Sequence, residues 1–178
     1  MTTLLLCNPA YADDHLVNFS YWNWGEAFQM KKDDLVQDSN SNFSALGLEY
    51  EYSSGLKSRG WNAAAALLLG QATGGDANGN IIYIASYQRF FGAAAKVNWF
   101  WRVERRVYLE AGPLLLFRSF QWPSSADGIS ADSGSTVNFG ASLNLRIRMN
   151  RRLDFCQSLG TLLSKGGTMW SAGLGYRF

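Results

Sequence analysis

Eleven residues, Thr168-Met-Trp-Ser-Ala-Gly-Leu-Gly-Tyr-Arg-Phe178, alternate strictly in character. Trp170, Ala172, Leu174, Tyr176 and Phe178 fall on one face, and Ser171, Gly173, Gly175 and Arg177 fall on the other. Successive side chains of a β-strand point to opposite sides, so a period of two specifies a strand. The apolar face carries the aromatics, and the segment ends on one of them. Chain ends usually fray unless something ties them down. A last strand that closes a barrel in a membrane must pair at once and keep its outer face in lipid.

The same period recurs upstream. In 137–149, Val137, Phe139, Ala141, Leu143, Leu145, Ile147 and Met149 oppose Asn138, Gly140, Ser142, Asn144, Arg146 and Arg148. In 91–103, Phe91, Val97, Trp99, Trp101 and Val103 oppose Gly92, Lys96, Asn98 and Arg102. In 45–53, Leu46, Leu48, Tyr50 and Tyr52 oppose Gly47, Glu49, Glu51 and Ser53. Residues 61–71 set Trp61, Leu67 and Leu69 outward; Ala63 to Ala66 could start a helix, but Gly60 and Gly70 bracket a strand. Residues 15–24 and 107–120 are further strands. In the second, Leu109, Ala111, Leu115 and Phe117 oppose Glu110, Gly112 and Arg118, and Pro113 predicts a bulge because it cannot donate a ladder bond. Residues 153–162 form the weakest strand, and 81–88 either extend the barrel above the membrane or begin the fourth strand. The set numbers about eight.

The connections alternate in length. Gly55–Arg59, Glu104–Arg106 and Asn150–Arg152 are short and basic, whereas 29–41, 72–80, 122–135 and 163–167 read as longer polar loops. The aromatics sort into two belts. Tyr52, Trp61, Trp99, Trp101, Phe155, Tyr176 and Phe178 lie near the short turns; Tyr21, Phe43, Phe91, Phe117, Phe139 and Trp170 lie near the long loops. Trp22 and Trp24 read as part of the second belt rather than as a ligand cradle. Two belts suit two membrane–water interfaces. The chain is 47% hydrophobic, yet no apolar run approaches a transmembrane helix, because alternation averages the two faces. A net charge of +2 is too small to suggest nucleic acid as a partner.

On these strands, connections and C-terminal aromatics, the chain resembles the small eight-stranded bacterial outer-membrane β-barrels, the class of the OmpA transmembrane domain, OmpX and OmpW. The resemblance implies an all-β, antiparallel up-and-down transmembrane barrel of about eight strands at 13–178. Outer-membrane lipid would surround it. An even strand number returns the chain to its starting side, so both ends of the mature chain would be periplasmic and the long loops outside the cell. Trp170, Leu174, Tyr176 and Phe178 match the terminal signature read by the barrel-assembly machinery. Leu4-Leu5-Leu6-Cys7 and Ala10-Tyr11-Ala12 form the back half of a secretory signal peptide, 1–12, cleaved after Ala12. Its front half is missing, since Met1-Thr2-Thr3 carries no Lys or Arg. A lipoprotein signal through Cys7 is the rival reading, but Leu6 is larger than the small residue such sites need.

Eight strands leave an interior that side chains can fill. The lumen-facing charges are Glu49, Glu51, Lys96, Arg102, Glu110, Arg146, Arg148 and Arg177, acids and bases together, so an ion-pair network is expected to plug it. Loss of Cys7 with the signal would leave Cys156 without an internal disulfide partner. No cofactor and no metal are expected, because the loop aspartates Asp33, Asp34, Asp76 and Asp132 lack ligand spacing. The expected function is non-enzymatic, through extracellular loops in adhesion, partner contact or envelope integrity, with an extracellular ligand or surface as partner. Resemblance to OmpW implies an alternative, a conduit or binding site for small apolar molecules. Some small barrels modify lipid A with a catalytic His, but His15 sits at the start of the first strand, away from the outer leaflet.

Overall fold

The alternating stretches are extended strands in the computed structural model, which describes residues 14–54, 58–123, 128–164 and 166–178. Among these residues nine strands follow one another: β1 (Asp14–Lys32), β2 (Leu35–Ser53), β3 (Arg59–Asp76), β4 (Tyr83–Glu104), β5 (Val107–Phe120), β6 (Ser130–Ala131), β7 (Gly134–Arg148), β8 (Leu153–Leu162) and β9 (Gly167–Arg177). All but β6 build one wall. Each pairs antiparallel with the next, and β9 returns to β1, so that Val17 faces Tyr50 on one side and Tyr176 on the other. The eight-stranded sheet is thereby closed. Where all eight strands share rungs, closure satisfies their backbones without leaving an edge. The candidate leader 1–12 lies outside the described residues, as do 55–57 in the first short turn and 124–127 in the third long connection.

The end of the barrel that carries Asp14 and Phe178 is here the base, and the other end the rim. Around the base half, outward residues are apolar and exposed: Leu46 and Leu48 on β2, Leu67 and Leu69 on β3, Val97 on β4, Leu143 on β7 and Leu174 on β9. A belt that large is not tolerated in water. Tyr50, Trp61, Trp99, Trp101 and Tyr176 edge it at the base, and Tyr21, Phe91, Phe139 and Trp170 edge it toward the rim. From Trp61 to Leu69 is roughly 26 Å along the strand. At a tilt of about 40° that spans roughly 20 Å of the apolar band of an outer-membrane barrel, which is about 25 Å tall.

Above the band the wall is uneven. Strand β4 has 22 residues and β8 only 10, so β1 to β4 stand tall over β8 and β9. Segment 29–41 is therefore not a loop. It is the upper part of a continuous β1–β2 hairpin that turns at Asp33 and Asp34, with Asp33 in the left-handed region at φ 51°. Segment 81–88 begins the fourth strand, since β4 starts at Tyr83; β4 carries an extra residue between Ala85 and Gln88 where Tyr87 adopts φ 49°. The last rung of β9 on β1 joins Met169 to Trp24; higher up, β6 covers the β1 edge by pairing with Met30 and Lys31.

Pro113 makes no bulge. The β5–β7 register runs through Pro113 opposite Ala141 unbroken, and β4–β5 keeps one register from Lys96–Leu114 to Trp99–Ala111. Pairing lapses only at Val97 and Asn98. Gly112 lets the two backbones close in there, since a Cβ would overlap the Val97 carbonyl oxygen. The irregularity in this hairpin lies instead between Arg102 and Glu104.

The belt assignment needs three corrections. Trp22, Trp24 and Phe43 are wholly buried inside the barrel. They share a face with Ser20, Glu26 and Glu49, as the period of two requires. Gly47 makes room for Trp22, whose Nε1 would lie 2.8 Å from a Cβ at that position.

Candidate functional site

The lumen is built in two storeys. The lower, in the base half, is polar. Lys96 Nζ lies 2.6 Å from Glu49 Oε2. Arg146 Nη2 lies 2.5 Å from Glu51 Oε2, and its Nε lies 2.7 Å from Glu110 Oε1. Arg177 holds Asp154 with Nη2 and Asp14 with Nη1, the latter at 2.6 Å. Asp154 also stands 3.9 Å from Arg146 Nη1 and 3.8 Å from Arg148 Nε. Asn62 Nδ2 donates to Glu110 Oε2 at 3.1 Å, and Asn98 Nδ2 donates to Asn62 Oδ1 at 3.0 Å. Every barrel strand supplies a member, from Asp14 on β1 to Arg177 on β9. Buried charges are tolerated only when paired and hydrogen-bonded, and this arrangement pairs them across the lumen.

Seven of the eight charges expected from sequence come together in this storey. Arg102 does not. It lies at the bulged base end of β4, exposed, and forms no ion pair among the described residues. Its parity is inward, but the lumen has already opened to solvent at that level. Asp14 and Asp154 join the network unforeseen. The signal for Asp154 was present, since Leu153, Phe155 and Leu159 put Asp154 and Ser158 on the opposite face.

A cavity of about 20 Å³ lies among Asn18, Glu49, Glu51, Lys96, Asn144 and Ser171, room for one water molecule. Asn18 Oδ1, Glu51 Oε1 and Asn144 Nδ2 have no protein partner among the described residues. Polar atoms of this kind are what hold a buried water.

The upper storey is apolar and aromatic. Trp24 stacks on Phe43 at 5.1 Å between centroids, and Phe90 and Phe120 meet Phe43 edge-on at 5.4 and 5.2 Å. Phe28 and Trp122 pack at 5.2 Å above them, and Met30, Leu68 and Leu116 complete the fill. One charge pair is embedded here. Glu26 Oε2 accepts from Arg118 Nη2 at 2.7 Å and Nε at 2.9 Å. Glu26 Oε1 accepts from Trp24 Nε1 and Asn138 Nδ2, both at 2.8 Å. The Arg118 guanidinium lies 4.5 Å over the Phe120 ring.

Trp170, Leu174, Tyr176 and Phe178, the expected assembly residues, all face outward on or beyond β9. Phe178 stacks on His15 at 5.9 Å, and its N–H donates to the His15 carbonyl at 3.1 Å. His15 Nδ1 lies 2.7 Å from Tyr50 Oη.

Solved structures similar to this one include two bacterial barrels. OprG, an outer-membrane protein of Pseudomonas aeruginosa, superposes with a TM-score of 0.61 at 12% identity, over 94% of this chain and 97% of that one. Ail, the attachment invasion locus protein of Yersinia pestis, superposes at 0.53 and 18% identity, over 93% of this chain and 99% of that one. The fold is that of the small outer-membrane β-barrels. At these identities the likeness concerns the fold. No family model matches the chain, and no curated protein matches it.

Proposed function

We propose that this chain is a non-enzymatic outer-membrane barrel with a closed lumen, acting through its tall rim. The filling of both storeys supports this reading above all else. A conduit for small apolar molecules would use the aromatic storey as its lining, but Trp24, Phe43, Phe90 and Phe120 fill that space by packing on one another. The wild-type protein in planar bilayers should show no steady conductance; a large, stable one would return the conduit to first place.

On this reading the base faces the periplasm, residues 1–12 are a cleaved leader, and β9 with its outward aromatics is what the assembly machinery engages. The β1–β2 hairpin and the 121–133 connection then offer the surface for adhesion or partner contact. The Ail structure holds the heparin analogue sucrose octasulfate, a polyanion. Among the described residues the rim carries Asp33, Asp34, Asp38, Asp76 and Asp132 against Lys31, Lys32 and Arg89, a balance that does not favour a polyanion there. A cysteine at Asp34 in a Cys156→Ala background should react with a membrane-impermeant maleimide on intact cells, and one at Arg105 should not. Labelling at Arg105 would invert the topology.

A further inference from the structure

The base mouth opens into a bowl of about 790 Å³ whose walls carry six arginines, Arg102, Arg105, Arg106, Arg148, Arg151 and Arg177. They converge because β5 pairs with β7, which sets the β4–β5 and β7–β8 turns side by side; Arg148 N–H donates to the Arg106 carbonyl at 2.8 Å. Each turn contributes an Arg-Arg pair, 105–106 and 151–152, and three of those four side chains line the bowl.

Among the described residues the only acid in the wall is Asp14, which Arg177 already holds. Glu104, on the same turn as Arg105, neither lines the bowl nor forms an ion pair among the described residues. Arg102, Arg105, Arg106 and Arg151 therefore present guanidinium groups with no acid partner among those residues. Arg148 adds a second, independent feature. Its guanidinium lies 5.2 Å over the Tyr108 ring, and its Nε stands 3.8 Å from Asp154 Oδ1, an ion pair without a hydrogen bond. The stacking fixes a donor plane at the bowl floor. A planar fork of donors suits the oxygens of phosphate, and one phosphate cannot neutralise so many cations.

We propose that the base mouth is a binding site for a multivalent phosphate anion, either a soluble oligophosphate or the clustered headgroups of anionic phospholipid. The site is independent of whether the lumen conducts. The folded full-length barrel in phosphatidylcholine nanodiscs should bind inorganic tripolyphosphate saturably by calorimetry at low salt. Replacing Arg105 and Arg151 together by Gln should weaken binding about tenfold, as expected for losing charge-assisted contacts. Both are exposed turn positions, and folding is checked by heat-modifiable mobility; Arg151→Gln alone should weaken binding in the same direction. Arg89→Gln, at the rim, should leave affinity unchanged. Adding phosphatidylglycerol to the nanodiscs separates the sources: suppressed tripolyphosphate binding identifies the headgroup as occupant, and undiminished binding identifies the soluble anion. No saturable binding of tripolyphosphate, or equal affinity in the bowl variants and the wild type, would overturn the proposal.

Discussion

Glu26 is the residue with most at stake. Its carboxylate is buried and accepts from Arg118 twice, from Trp24 and from Asn138, so both oxygens are saturated. Removing one partner of such a pair leaves the other charge buried alone, which costs about 3–5 kcal/mol. Glu26→Ala should lower the urea midpoint of the barrel in lipid vesicles accordingly, and Arg118→Met should do the same. Changing both to Met should recover much of the loss, because no orphaned charge remains. Arg102→Ala, by contrast, should shift stability by no more than about 0.5 kcal/mol, being exposed and without an ion-pair partner. Equal losses at Glu26 and Arg102 would show that burial does not set the cost here. None of Glu26's role was legible in the sequence. A lone acid between Gly25 and Ala27 has no local signature, and its partner Arg118 lies 92 residues away.

Along a strand, the sense of alternation reverses, and that reversal explains which elements the sequence disclosed. On β1, Val17, Phe19 and Tyr21 face out while Asn18 and Ser20 face in; from Trp22 upward, Trp22, Trp24, Phe28 and Met30 face in and Asn23 and Gln29 face out. In the band the solvent is lipid, so apolar residues point outward. Above it the solvent is water, and the wall becomes an ordinary sheet around a dry core. The band was therefore readable from β2 to β9. The reversal put Trp22, Trp24 and Phe43 in the wrong place, and the Ser, Asn and Asp above it made the upper β1–β2 hairpin look like a loop. The closing element is a cleaner case, because β9 keeps one sense from Trp170 to Arg177 and reverses only at Met169. Tyr176→Ser with Phe178→Ser should reduce the heat-modifiable folded form in the membrane more than Ser171→Ala, which leaves the lipid face intact. The changes remove lipid-facing area at the seam where Tyr176 faces Val17. Undiminished folded barrel in the first variant would separate assembly from that surface.

At the scale of the whole molecule, the closed lumen proposed above makes the two storeys two barriers in series, made by different physics. On that reading the lower closes by ion pairs and hydrogen bonds drawn from every wall strand, the upper by aromatic packing under the tall side of the wall. Either one should suffice to block ions. Removing Glu49 and Lys96 together, both to Ala, deletes a matched pair and leaves no orphaned charge, so the barrel should fold while the lower storey loosens. Phe43→Ala with Phe120→Ala opens the upper storey, at a cost of about 3–5 kcal/mol for each ring lost. Each double variant alone should remain silent in planar bilayers once heat-modifiable mobility shows that it is folded. The quadruple variant should conduct, because a central pair of the lower storey and two rings of the upper are then gone together. Conductance in the Glu49/Lys96 variant alone would mean that the aromatic storey is not a seal. Silence in the folded quadruple variant would move the barrier elsewhere, to the Arg146, Glu51 and Glu110 cluster or to the Glu26–Arg118 pair, which neither set of changes removes.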